Sequence, residues 1–248
     1  MLLTKHSLIT DTNPKSAVAE AYRILRTNIQ FANVDKAVKT ILFTSAGPDE
    51  GKSTVTANLG FVMAQAGKKI LIIDADMRKP IQHKIFDIDN GQGLSTTLVE
   101  DVSGLTYVSA TLQDNLHVLT SGPIPPNPAE LLGSNRMQRL IREAEEHYDT
   151  VLIDSPPAIA LADSSILAPM VDGAILVLSA GQVTKEYALQ TKERLETVGA
   201  RIIGAVLNKV EMKSKEHYYY YYYYYGSDRD EDGGKKHKRR NKKSGPKN

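Results

Sequence analysis

Five short, nearly unbroken apolar runs mark the chain between residues 40 and 210: TILFTSA (40–46), KILIIDA (69–75), TVLIDSP (150–156), GAILVLSA (173–180) and IIGAVLNKV (202–210). Runs that do not alternate with polar residues predict strands buried on both faces of a parallel sheet. LHVLTSG (116–122) is a further candidate. Between the runs the apolar spacing changes to the helical period. KSTVTANLGFVMAQAG (52–67) predicts a helix closed by Gly67. TKEYALQTKERLETVG (184–199) predicts an amphipathic helix with Thr184 as N-cap and Gly199 at its end. NPAELLGSNRMQRLIREAEEHYD (127–149) reads as one helix, opened by Asn127 as N-cap, Pro128 at the first position and Glu130 at the third. Another helix, over 15–33, precedes the first strand, and SGPIPPNPAE (121–130) is a Pro-rich loop. This alternation predicts an α/β fold with a mostly parallel central sheet, right-handed crossovers and helices on both faces.

Composition narrows the class. At 248 residues and 41% hydrophobic content, the chain can bury a sizeable core. The absence of cysteine excludes disulfides and thiolate metal sites. No apolar run approaches the roughly 18 residues of a membrane span, and the first residues lack the apolar centre of a signal peptide, so a soluble, cytoplasmic chain is expected. The net charge of +2 conceals a division. Residues 1–212 hold 20 Lys/Arg and 24 Asp/Glu, whereas 213–248 hold 11 and 5. An acidic globular domain over 1–212 is therefore expected to carry a basic, flexible tail over 213–248. Eight of the 12 tyrosines stand in a row in that tail. Neither helix nor strand periodicity can bury every member of such a run.

The candidate chemistry begins at SAGPDEGKST (45–54), which follows a strand and opens a helix. Its end, Gly51-Lys52-Ser53-Thr54, matches the phosphate-binding loop G-x-x-x-x-G-K-[ST], with Ala46 where the first glycine usually stands and Gly47 beside it. The backbone from Gly47 through Pro48, Asp49 and Glu50 to Thr54 is the candidate ATP cradle, with Lys52 reaching the β- and γ-phosphates and Ser53 ligating Mg2+. Asp74 and Asp76 in LIIDADMRKP, and Asp154 in VLIDSPP, lie at strand ends, where ligands of open α/β sheets bind. Asp154 suits a second Mg2+-sphere carboxylate. Arg78, beside the aspartate pair, could contact phosphate or a neighbouring protomer.

These motifs resemble the bacterial protein-tyrosine kinases, the BY-kinases, which share the Walker fold of the MinD/ParA ATPases. The resemblance spans almost the whole chain: SAGPDEGKST as Walker A, ILIIDADMRKP as Walker A′, TVLIDSPP as Walker B, PPNPAELL (125–132) and the tyrosine cluster. EAYRILR (20–26) resembles the family's E-x-x-R-x-x-R helix, which implies that Glu20, Arg23 and Arg26 join protomers into a ring. The span-free form resembles the Firmicutes-type cytoplasmic catalytic subunit. The resemblance implies an ATP-dependent kinase that autophosphorylates Tyr218, Tyr219, Tyr220, Tyr221, Tyr222, Tyr223, Tyr224 and Tyr225. It further implies regulation of capsular or exopolysaccharide synthesis and export, with a membrane activator protein, an opposing phosphatase and tyrosine substrates such as polysaccharide-precursor enzymes. Membrane association would be peripheral, through the activator, and nucleic acid is not expected as a partner. Asp74 or Asp76 takes the tyrosine proton, and Ser53 holds Mg2+ with Asp154 and Asp76; the resemblance favours Asp74 as the base and Asp76 as the metal-linked carboxylate, and implies that Asn208 reads adenine, a core or turn asparagine being the other reading of Asn208. The competing class is a MinD/ParA-like positioning ATPase with a tail that binds membrane or nucleic acid. Such chains typically carry a signature lysine five residues before the loop lysine, where Gly47 stands here.

Overall fold

The computed structural model describes residues 8–31, 38–100 and 102–211. Helices α1 (Ile9–Thr12) and α2 (Ala17–Phe31) lead into β1 (Thr40–Ser45), followed by α3 (Lys52–Gln65) and β2 (Ile70–Asp74). Next come α4 (Gln82–Phe86), α5 (Leu94–Val99), the two-residue β3 (Ser109–Ala110) and β4 (Leu116–Leu119). The chain continues through α6 (Pro128–Leu132), α7 (Asn135–His147), β5 (Thr150–Asp154) and α8 (Asp163–Leu167), then β6 (Gly173–Ser179), α9 (Lys185–Thr197) and β7 (Ile202–Asn208). The strands form one sheet in the order β3-β4-β2-β5-β1-β6-β7. Every pairing is parallel except that of β3 with β4.

The apolar runs feed two cores because successive strand side chains point to opposite faces. Leu42, Leu71, Ile73, Val151 and Ile153 join one core, covered by residues of α5 to α9 such as Leu98, Leu140, Leu167 and Leu195. Ile41, Phe43, Ile70, Ile72 and Leu152 join the other, covered by α2 and α3. α3 is buried on nearly every side, and a Cβ on Gly60 would stand 2.8 Å from Ile72 Cδ1, so only glycine lets the helix approach β2 this closely. The Thr10 amide and hydroxyl both donate to Asn58 Oδ1, at 3.1 and 2.9 Å, and pin α1 onto α3.

Two expectations need correction. The run at 202–210 forms a strand, but β7 is the sheet edge and is not buried on both faces; Leu207 is 62% exposed. The expected single helix over 127–149 is two. Ser134 adopts an extended backbone between α6 and α7, and its hydroxyl accepts from the Met137 amide, recapping the chain. Asn127 caps nothing: its side-chain amide donates to the Glu130 carboxylate instead. Thr184 and Gly199 do close α9 as expected, Thr184 by accepting from the Tyr187 amide. The end of the 15–33 helix beyond residue 31 lies outside the described residues, as does the tail with Tyr218–Tyr225.

Candidate active site

The loop between β1 and α3 turns at Asp49 and Gly51, with φ of 58° and 88°. A Cβ on Gly51 would stand 2.2 Å from Asn208 Nδ2, so the glycine is required by both its conformation and its neighbour. Glu50 is buried although it carries a carboxylate. One of its oxygens accepts from the Gly47 amide and the other from the Ser179 amide, the latter at 3.0 Å. Asn208 Nδ2 donates to the Glu50 carbonyl at 2.9 Å, and Lys209 Nζ to the Asp49 carbonyl at 2.5 Å. The loop is thus clamped from the carboxyl ends of β6 and β7. The side chain of Glu50 and the amide of Asn208 brace the cradle, and the Gly47 amide already has a partner.

Lys52, the first residue of α3, extends over the ends of β2 and β5. Its Nζ lies 2.8 Å from Asp76 Oδ2, 3.7 Å from Asp154 Oδ1 and 3.3 Å from Ser53 Oγ. Burial works to lower the Lys52 pKa, but the charges of Asp154 and then Asp76 outweigh it and hold the ammonium above its ordinary value. Asp76 Oδ1 accepts from the Lys79 amide at 3.0 Å. Asp74 lies deeper and is wholly buried. Its Oδ2 accepts from the amides of Ile81 and Gln82 at 3.1 and 2.9 Å. Burial, followed by the charge of Asp154, pushes the Asp74 pKa well above the ordinary carboxylate value. Asp154 is raised as well, by burial against the opposing pull of Lys52.

The structure therefore brings Lys52, Ser53, Asp74, Asp76 and Asp154 together. Arg78 turns away from this group: its guanidinium grips the buried Asp163 through Nε and Nη2, at 2.8 and 3.0 Å. Glu20, Arg23 and Arg26 are engaged within the chain, Glu20 with Arg23 at 2.9 Å and Arg26 with the Val62 carbonyl at 3.0 Å. Sequence reasoning missed Gln82, which no motif marks. It is wholly buried, and its amide bridges Ser53 and Asp154.

Buried oxygens remain without a hydrogen-bond partner at Asp154 Oδ1, Asp74 Oδ1 and Gln82 Oε1. Such an oxygen-rich spot beside the Ser53 hydroxyl suits a hard cation. Among the described residues no three His, Cys, Asp or Glu side chains form a metal site by themselves.

Strand-end carboxylates around the lysine of a glycine-turned loop define a P-loop nucleotide-binding domain, and residues 38–210 match the AAA domain family. Similarity to archaeal MinD, the cell-division ATPase of Pyrococcus furiosus, is at the level of fold, with 24% identity, TM-score 0.60 and coverage of 68% of this chain and 71% of that one. Much nearer is the tyrosine-protein kinase YwqD of Bacillus subtilis, 49% identical over 82% of this chain and 86% of its own length. The kinase domain of the Escherichia coli tyrosine kinase ETK superposes with TM-score 0.81 at 35% identity, covering 84% of this chain and 81% of that one. The chimerical protein CapA2B2 does so with TM-score 0.78 at 41% identity, covering 82% and 89%. The chain belongs to the bacterial tyrosine-protein kinases. It is an enzyme of that class, built on a nucleotide-binding fold shared with MinD.

Proposed function

We propose that the chain transfers the γ-phosphoryl group of ATP to the tyrosines at 218–225 and to tyrosines of other proteins. The observation that carries this reading is the convergence of Lys52 with Asp76 and Asp154 beside the clamped loop, with Asp74 buried beneath them. The backbone of Gly51 to Thr54 holds the β-phosphate, and the permanently charged Lys52 stabilises negative charge gathering on the transferred group. The phenolic oxygen bonds to the γ-phosphorus as the bond to the bridging β–γ oxygen breaks, and ADP leaves. Asp74 takes the phenolic proton. A buried carboxyl whose pKa is raised lies closer to a phenol near 10 than an exposed aspartate does, which eases that transfer. Ser53, Asp76 and Asp154 would hold Mg2+, which when bound would neutralise phosphate charge.

Each phosphate adds about −1.5 to −2 charges, so modification of the cluster reverses the sign of the basic tail. In this proposal the kinase acts in capsular or exopolysaccharide export, with a membrane activator segment, an opposing phosphatase and a ring built through Glu20, Arg23 and Arg26; relatives such as CapB of Staphylococcus aureus support the capsular setting. Among the described residues no helix is long and apolar enough to cross a membrane.

The test is incubation of the full chain with Mg2+-ATP, with and without an activator segment, followed by peptide mass spectrometry. Phosphate on Tyr218–Tyr225 that disappears in Lys52→Met is expected. ATP hydrolysis without phosphotyrosine under both conditions would replace this reading with a MinD-type positioning ATPase.

A further inference from the structure

Gln82 opens α4, the helix that follows the second aspartate motif, and is wholly buried at the floor of the site. It touches three separate elements. Its backbone amide donates to Asp74 Oδ2 at 2.9 Å, at the end of β2. Its side-chain nitrogen donates to the Ser53 carbonyl at 3.1 Å, in the first turn of α3, and to Asp154 Oδ2 at 2.9 Å, at the end of β5. Both side-chain neighbours are acceptors, so only the nitrogen of the amide fits between them. A free carboxylate turns readily about its last torsion. Bonding one oxygen of Asp154 to Gln82 restrains that rotation and leaves the other, Oδ1, 3.7 Å from Lys52 Nζ, with the Ser53 hydroxyl also bonding this carboxylate.

We propose that Gln82 is a positioning residue: by fixing Asp154 against Ser53 it presents a carboxylate oxygen and a hydroxyl in register and so sets the Mg2+ affinity of the site. This rests on reading the site as an ATP–Mg2+ centre. Groups that orient metal ligands typically account for 10–100-fold in metal affinity, and Gln82 reaches two of the three ligand-bearing residues at once. Among the described residues its one side-chain bond to the phosphate-binding loop is to the Ser53 carbonyl, which leaves the loop's N–H groups untouched, so metal-free nucleotide binding should change little.

The experiment uses the full chain with a fluorescent ADP analogue, first in EDTA and then titrated with Mg2+. Gln82→Glu keeps the shape but sets a carboxylate against Asp154; Gln82→Met keeps the length and removes the donor. Neither alters the backbone bond to Asp74, and a thermal melt in EDTA identifies the variant that folds should one of them fail. Metal-free affinity within about twofold of wild type is expected, with the Mg2+ midpoint raised by about 10–100-fold. Tyrosine phosphorylation lost at low Mg2+ should return at high Mg2+. An unchanged Mg2+ midpoint in a folded variant overturns the role of Gln82, as does an equal loss of affinity with and without metal. Wild-type binding indifferent to Mg2+ would instead sink the metal site itself, and this inference with it.

Discussion

Asp74 and Asp154 pair in register across β2 and β5, and both are wholly buried, a costly arrangement for two carboxylates. Burial is the leading reason that the folded pKa of each is raised above 3.8. A carboxyl with a raised folded pKa binds its proton more tightly in the folded than in the unfolded state. The penalty is complete above the folded pKa, where both states are charged, and is relieved as pH falls through it toward 3.8. The metal-free protein should therefore gain stability on mild acidification. Asp74→Asn should raise its melting temperature near pH 7.5, by about 2–4 °C per kcal/mol recovered, and flatten the pH dependence. The same variant should lose roughly 10²–10⁴-fold in tyrosine phosphorylation. Melts in EDTA across pH 5–8 check the first part; a melting point that drops at every pH would show that Asp74 stabilises the fold. The aspartates were legible because each ends an apolar strand beside a recognisable motif. Gln82 was not, because a lone glutamine carries no pattern until the chain folds back over β5.

At the scale of elements, the phosphate-binding loop is held by a buried carboxylate that accepts from two backbone amides. Glu50 accepts from the Gly47 and Ser179 amides, and so ties the loop to the end of β6, 129 residues away. Glu50→Gln would place an amide NH2 against one of those N–H donors. Nucleotide affinity should fall about tenfold, since leaving one buried N–H unsatisfied costs about 1–3 kcal/mol. Isothermal titration with ADP reads this directly, and undiminished affinity would mean that the loop keeps its shape without the clamp. The loop lay in plain view in the sequence, through Gly51-Lys52-Ser53-Thr54 and the apolar run before it. The clamp did not, because Ser179 contributes only its backbone, and a backbone amide leaves no trace in composition. The break at Ser134 escaped for a related reason. Periodicity runs on through 127–149, and only the extended turn at Ser134 separates α6 from α7.

For the molecule as a whole, the proposed ring makes a prediction separable from folding. Glu20 and Arg23 form an i,i+3 pair with side chains 42% and 31% exposed, and such a pair contributes only about 0.2–1 kcal/mol. Glu20→Arg should therefore melt within a few degrees of wild type yet give a smaller particle by light scattering; an unchanged particle would remove Glu20 from the assembly. By itself the sequence determined the α/β class, the loop lysine and the three aspartates, because strand burial and phosphate binding impose local patterns that a linear text preserves. Tertiary structure alone decided that β7 is a half-exposed edge, that Arg78 serves Asp163, that Asn208 braces the loop and that Gln82 joins Ser53, Asp74 and Asp154. Apart from the Gln82–Asp74 bond, which spans 8 positions, those outcomes depend on which residues meet across separations of about 30 to 160 positions, and no periodicity records a meeting at that range.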